Sequence, residues 1–375
     1  MYIGRSCSRS VGADLKVRPY ELFPKHLPAR TIHRLAPFDS VLIISFGGPG
    51  GLPDIRPFLA NVLRGRRVPP ERVEEVAHHY ELFDGVSPLT AITMRQADGL
   101  RAALASAGYP LPVYVGMRNW HPYIADTLRT MYAAGHRHAI GFIAAAHHSY
   151  SSCQQYRENV TAAREQVQQE GADVGVTYVG SWYDHPLFIR ANATHVREAL
   201  ARLPESSRDR ARLVFTAHSV PMEMAARSRY REQLEASARL VAGEAGVRDW
   251  VLVFQSRSGR PQDPWLEPDV CDYLRAEHAK GLGSVVICPI GFVCDHVEVL
   301  YDLDREAAAV ARSLGLQMAR AEAVNDDPLF VEMMADVVRQ TIARYEHGVP
   351  LPITAAPGAA PAERRAEVDR PSGAS

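Results

Sequence analysis

The segment Gly291-Phe292-Val293-Cys294-Asp295-His296-Val297-Glu298 follows directly on an apolar run, Val285 to Ile290. A buried strand there delivers an ionisable cluster to its own carboxyl end, the edge at which open α/β sheets bind ligands. Beyond it, Glu298, Asp302 and Glu306 recur every four residues. On a helix this spacing puts three carboxylates on one face. A row of carboxylates at a strand end offers a path for a hard or borderline metal ion. The competing reading is a solvated helix face whose acids sit near the helix N-terminus, where the dipole favours them.

Other polar groups stand at the ends of apolar runs. Thr216-Ala217-His218-Ser219-Val220-Pro221 places one histidine after a strand and before a proline turn, a good position for a general base or a metal ligand. A histidine satisfied by backbone hydrogen bonds is the alternative. Ser45-Phe46-Gly47-Gly48-Pro49-Gly50-Gly51 reads as a tight turn. A dinucleotide fingerprint would run G-x-G-x-x-G into a helix, and Pro49 breaks that pattern. Arg64-Gly65-Arg66-Arg67 could grip carboxylates or form an ordinary basic loop. It is followed by Tyr80 and by Gly85-Val86-Ser87-Pro88. Arg118-Asn119-Trp120-His121-Pro122 combines a cation, an amide and an aromatic ring, which suits a flat ligand; a buried Trp with a bonded indole is the alternative. His147 to Tyr156 carries Ser151 or Ser152 as an expected helix N-cap and Cys153 in an inert apolar role. Gln255-Ser256-Arg257-Ser258-Gly259 and Pro264-Trp265-Leu266-Glu267-Pro268 form either a further wall of the same cleft or a proline-stiffened surface loop. No G-x-S-x-G elbow is present, which disfavours a Ser-His-Asp hydrolase.

These groups need a scaffold of strands. Val41–Ser45, Val113–Gly116, Ala139–Ala145 and Val174–Val179 read as four strands, and Leu213–Thr216, Trp250–Phe254, Val285–Ile290 and Leu316–Ala319 as four more. Helical patterns lie between them at Ile92–Ser106, Tyr123–Ala134, Gln154–Glu170 and Pro186–Arg202. Strands that are apolar throughout and alternate with helices predict parallel sheets covered on both faces. Eight strands allow one barrel or two four-stranded sheets, and both layouts gather strand ends at one rim.

A chain of 375 residues with 46% hydrophobic content is sized for two domains. A net charge of -1 gives no electrostatic footprint for nucleic acid. The five cysteines, Cys7, Cys153, Cys271, Cys288 and Cys294, form no C-x-x-C pair, and their odd number fits no closed disulfide framework. That pattern predicts a reducing compartment, hence the cytoplasm. No apolar run approaches the roughly 18 residues of a membrane span. Residues 1–37 read as a mildly basic extension without a secretory core. The Ala/Pro-rich stretch 348–375 reads as disordered.

Phe46-Gly47-Gly48-Pro49, Gly85-Val86-Ser87-Pro88, Thr216 to Pro221, Gln255-Ser256, Pro264 to Pro268 and Gly291 to Leu300 occur in this order. Each is weak alone. Together they resemble the ferrochelatases, enzymes of the lyase class that insert ferrous iron into a porphyrin in haem biosynthesis. The resemblance runs from about Phe38 to about Tyr345. It implies two Rossmann-like lobes, each a four-stranded parallel sheet flanked by helices, with the porphyrin cleft between. The first lobe is expected at 38–146 plus about 325–347, with its C-terminal helix near Pro328–Tyr345 packed back on it, and the second at 147–324. The family's metal-binding histidine falls on His218 and its facing glutamate on Glu298, both expected to be catalytic. Porphyrin-contacting positions fall on Phe46, Tyr80, Ser87 and Tyr156, with Arg64 and Arg118 as further contacts. Asp302 and Glu306 continue the acidic metal path.

The residue types suit that chemistry. Metal insertion removes two pyrrole protons, and His218 can accept one near neutral pH. Carboxylates can replace the water of an incoming ion stepwise, and imidazole with carboxylate suits a borderline divalent ion. Two departures stand out. Some relatives hold a [2Fe-2S] cluster on Cys153's counterpart and three cysteines near the C-terminus; here no cysteine follows Cys294, so no cluster and no tightly bound cofactor is expected. Phe46 stands where many coproporphyrin III enzymes have a tyrosine able to ligate product iron. The charged segment from Asn61 to Phe83 favours coproporphyrin III, with its four carboxylates, over protoporphyrin IX. A porphyrin or haem carrier without catalysis is the other alternative. The expected partners are porphyrin and ferrous iron, with transient contacts to neighbouring haem-pathway enzymes.

Overall fold

The computed structural model describes residues 37–65, 68–258 and 262–347. The expected extension before Pro37, the expected disordered tail, Arg66 and Arg67 lie outside the described residues. Eight strands form two sheets of four. The first contains β1 (Ser40–Ser45), β2 (Val113–Met117), β3 (His138–Ile143) and β4 (Gly175–Tyr178) in the order β2-β1-β3-β4. The second contains β5 (Arg212–His218), β6 (Trp250–Gln255), β7 (Ser284–Cys288) and β8 (Gln317–Arg320) in the order β6-β5-β7-β8. Every pairing is parallel. The expected pair of four-stranded parallel sheets is therefore the architecture, and the barrel is not.

The reason lies in the strand sequences. Ser40–Ser45 and Ser284–Cys288 are buried at every position, as a strand covered on both faces must be. Each is an inner strand of its sheet. The outermost strands β4 and β8 are largely half-buried. Four long helices, Pro70–Glu81, Pro88–Ser106, Pro186–Arg202 and Pro328–Glu346, open on proline. Its fixed φ suits the first turn, and its missing N–H is one the helix would leave unbonded anyway.

One expected boundary moves. β4 pairs with β3 from His138↔Gly175 to Gly141↔Tyr178, so a division between residues 146 and 147 would cut the first sheet. The chain reaches the second sheet only beyond Tyr178. The last helix, Pro328–Glu346, packs on Pro88–Ser106 and β3, as expected, but also on Pro186–Arg202 beside the second sheet. Its Phe330, Met333, Met334, Val337, Val338 and Ile342 belong to one apolar core shared by both sheets. There Trp182 stacks on Phe142 at 5.4 Å and meets Phe188 edge-on at 5.3 Å. A buried polar knot pins the same helix. Asp336 accepts from His185 Nε2 at 3.1 Å, Arg339 Nη2 at 2.9 Å and Gln340 Nε2 at 2.9 Å. Burial alone would raise the Asp336 carboxyl, but the bonds from His185 and Gln340 outweigh it and hold it below its ordinary value.

Candidate functional site

The carboxyl ends of β5 and β7 build the centre of the site. His218 is the last residue of β5. Glu298 lies in the short helical turn Val297–Val299 after β7. The two strands are hydrogen-bonded neighbours, so residues remote in sequence meet: His218 Nε2 stands 3.8 Å from Glu298 Oε2. Gly291 makes the turn possible. A Cβ there would lie 2.5 Å from Ala217 Cβ, and its amide bonds Thr216 O at 3.0 Å. Both side chains keep about a third of their surface exposed, enough to meet a ligand.

The His218 ring has a defined proton. Its Nδ1 is 2.5 Å from the Ser219 carbonyl, and a carbonyl oxygen only accepts, so the hydrogen sits on Nδ1. The neutral ring therefore turns a bare lone pair on Nε2 toward Glu298. Two ligand atoms each about 2.1 Å from one ion lie about 3–4 Å apart, so this pair can share a divalent ion. Among the described residues no three His, Cys, Asp or Glu side chains form a closed metal cage. An open pair of this kind suits an ion that passes through.

His296, within the same motif, joins the site although its spacing gives no sign of it. Its Nε2 lies 3.9 Å from the same Glu298 Oε2. The ring is mostly buried, which lowers its pKa, and its Nδ1 has no hydrogen-bond partner. Glu298 thus sits between two imidazoles. The sequence signal was the i, i+2 spacing outside regular helix, which carries no face rule to raise an alarm.

The acidic row takes an unexpected form. Leu300–Ala307 is a π-helical turn running into the α-helix Ala308–Leu314. Bonding from i to i+5 widens the turn, so four-residue spacing falls slightly short of a full turn instead of slightly beyond it. Asp302 remains in line with its neighbours. It accepts from Ser256 Oγ and from Gln255 Nε2, the latter at 3.1 Å. Ser256 reaches it from a left-handed conformation, φ 59°, which costs a non-glycine residue energy and recurs at functional sites. Burial, opposed by the Ser256 bond and reinforced by the charges of Glu298 and Glu306, pushes the Asp302 carboxyl up to about 7. Burial also raises Glu306, with Asp269 adding to it.

At the strand ends of the first sheet lies a second group of the expected residues. Arg118 lies over Tyr156 at 4.6 Å and over Phe46 at 5.6 Å, and its Nε donates to Asn159 Oδ1 at 2.6 Å. Among the described residues no carboxylate pairs with this guanidinium. Asn61 links a second cation to the same group. Its Nδ2 donates to Asn119 O at 3.1 Å and Tyr123 Oη at 2.9 Å, while its Oδ1 accepts from Arg64 Nη2 at 2.6 Å. Arg64 itself is exposed. Tyr80 is buried against Phe58, which also meets Phe46 and Trp120 edge-on. Ser87 is buried at the head of helix Pro88–Ser106, so its hydroxyl is less available than the sequence suggested. Gly85 adopts φ +71°, and a Cβ on it would lie 2.4 Å from Leu52 N.

The helix Pro70–Glu81 docks on the π turn. His79 stacks on Tyr301 at 3.6 Å, and Arg305 lies over Phe83 at 5.1 Å. Near β3, Ser149 rather than Ser151 or Ser152 is the cap. Its hydroxyl accepts from Ser152 N at 3.0 Å, and Ser152 Oγ answers by accepting from Ser149 N at 2.7 Å. This reciprocal pair opens a second π-helical turn, Tyr150–Gln154. Cys153 is half-buried; burial raises its thiol, and its Sγ bonds Ser149 O at 3.4 Å.

Two like lobes, an imidazole facing a carboxylate, and an acidic row running outward from them define a metal-handling protein of the chelatase kind. The fold agrees. SirB from Bacillus subtilis with Fe3+ superposes with a TM-score of 0.52 at 11% identity, covering 84% of this chain and 99% of that one. The ferrochelatase family model matches residues 39–342. A ferrochelatase of Rhodopirellula baltica is 49% identical over 83% of this chain and 88% of its own. A coproporphyrin III ferrochelatase of Mycolicibacterium smegmatis is 45% identical over 84% of this chain and 91% of its own. The chain belongs to the ferrochelatase family, whose members insert ferrous iron into a porphyrin.

Proposed function

We propose that this chain inserts ferrous iron into coproporphyrin III, with His218 and Glu298 as its catalytic pair. The observation that carries the choice of porphyrin is the pair of cations Arg118 and Arg64. Both lie in the first lobe, and among the described residues neither has a carboxylate partner. Most other arginines of that lobe are paired, among them Arg56 with Glu74, Arg95 with Asp326 and Arg129 with Glu170. Guanidinium groups without a carboxylate partner suit a ligand that brings its own carboxylates. Relatives named coproporphyrin III ferrochelatases, in Mycolicibacterium smegmatis and Mycobacterium avium, support the same reading at 45% and 47% identity.

In this reading the ring lies on Phe46, Tyr80 and Tyr156, with Ser87 behind them. Ferrous iron enters along Glu306 and Asp302 to Glu298. The bare Nε2 of His218 takes one pyrrole proton, and the second leaves through the acidic row as the metal–nitrogen bonds form. In this reading no [2Fe-2S] cluster takes part, and Cys288 and Cys294 serve as apolar side chains buried in the shared core. The two lobes act as the domains, joined by the last helix. The protein works in the cytoplasm, in transient contact with the enzymes before and after it. Among the described residues no helix is long and apolar enough to cross a membrane.

The test is anaerobic insertion of ferrous iron, followed by absorbance, with coproporphyrin III and protoporphyrin IX in parallel. Faster turnover of coproporphyrin III is expected. Faster turnover of protoporphyrin IX would overturn the substrate. Tight ring binding without insertion into either would overturn the enzyme.

A further inference from the structure

The loop Pro264-Trp265-Leu266-Glu267-Pro268 runs against the chain just beyond His218. Leu266 N donates to Val220 O at 3.0 Å, Met222 N donates to Pro264 O at 3.0 Å, and Pro221 and Trp265 form an antiparallel bridge. Ser219 Oγ donates to Leu266 O at 2.8 Å. Ser219 and Leu266 are only 2% and 3% exposed. From the other side, Ser219 N donates to Gln255 O at 2.7 Å, and Tyr230 Oη donates to His218 O at 3.1 Å. The Ser219 peptide is therefore held on both flanks. Its carbonyl is the one that receives the His218 Nδ1 hydrogen.

We propose that Ser219 is a positioning residue for iron insertion. Its hydroxyl, tied to the Leu266 carbonyl, keeps the Ser219 carbonyl under His218 Nδ1, so the ring holds its proton there and presents a lone pair on Nε2 toward Glu298. A base with the wrong tautomer would point N–H at the incoming metal and ring. Fixing one ring nitrogen so that the other is free to react is a general device of imidazole ligands. The loop Pro264 to Pro268 thereby acts on the site through its backbone, and no side chain of it need touch substrate.

The inference rests on the proposed role of His218, and its first readout is independent of turnover. Nitrogen NMR of histidine-labelled protein, at a pH where the ring is neutral, reads the His218 tautomer, assigned by the signal lost in His218→Ala. The wild type should carry its proton on Nδ1; an Nε2–H ring would overturn the proposal. In Ser219→Ala a second tautomer should populate. Its kcat should fall on the order of tenfold, as when a group that orients a reacting imidazole is lost, with KM for the porphyrin unchanged. Ser219→Thr, which keeps the hydroxyl, should recover turnover. Ser219→Cys, which keeps the volume and surrenders the strong donor, carries the same expectation as the alanine and serves if that variant does not fold. A single Nδ1–H signal with wild-type kcat in either variant, or a rise in KM alone, would overturn the role of Ser219. A wild type that inserts no iron would instead sink the proposed function and leave the ring readout standing.

Discussion

Replacing Asp302 by asparagine, in protein stripped of metal by a chelator, tests the electrostatics of the acidic row directly. The folded state pushes this carboxyl from an ordinary value of 3.8 up to about 7, chiefly by burial, with the Ser256 bond opposing and Glu298 and Glu306 adding to it. Between those two values the folded protein holds a proton that the unfolded chain has released, so stability falls as pH rises through the window. The full shift corresponds to about 4 kcal/mol. The carboxyl opens partly on solvent, and screening there reduces the expected effect to about 2 kcal/mol. An asparagine oxygen can still accept from Ser256 and Gln255, so the fold loses little. Asp302→Asn should therefore match the wild type at about pH 4 and exceed it by about 2 kcal/mol at about pH 8. Guanidinium unfolding at the two pH values measures the difference. Equal pH slopes, or a variant weaker than wild type at the higher pH, would refute the reasoning.

Substituting His218 by alanine should abolish insertion while ring binding, followed by porphyrin fluorescence, stays within about twofold, because the aromatic wall lies in the other lobe. Phe46→Tyr places a phenol beside the ring and should slow product release, seen as a burst followed by a lower steady rate and a changed haem absorbance. Gly85→Ala forces a side chain into φ +71° against Leu52; it should cost about 2 kcal/mol or more and lower the thermal midpoint by several degrees. Burial holds the His147 imidazole down to about 3, so the folded state refuses a proton that the unfolded chain takes below its ordinary 6.5. Stability should be unaffected by this group above that pH and fall by up to about 1.4 kcal/mol per pH unit below it. His147→Gln should flatten that acid limb.

The strands were legible because parallel sheets buried on both faces demand unbroken apolar runs, and most long helices because their apolar positions recur at helical spacing; the helix Pro70–Glu81, rich in charge, lacks that signal, and Pro88–Ser106 begins four residues before the expected Ile92. His218 and Glu298 were legible as residues at strand ends. Their meeting was not: it depends on β5 and β7 being neighbours, which strand order decides and residue spacing does not. The same order drew β4 into the first sheet, past the boundary expected at residue 146. The π-helical turn under Asp302 escaped because its carboxylates recur at a spacing that an α-helix would also satisfy. His296 escaped because it precedes the helix and shares no face with the acidic row. Ser149 caps in place of Ser151 or Ser152, since the reciprocal bond with Ser152 sets the cap two or three residues nearer the strand.

The helix Pro328–Glu346 is the last described element of the chain, yet it lies between the helices Pro88–Ser106 and Pro186–Arg202 and completes the core common to both sheets. On the ribosome it is therefore the last described element to emerge. Until it does, each sheet can form around its own strands, but the faces that receive Phe330, Met333 and Met334 stay open to water. The relative setting of the two lobes is fixed only once that helix has packed between them. A nascent chain stalled before residue 328 would carry two folded halves, a greasy seam for chaperones to bind, and no working gap between Arg118 and Glu298.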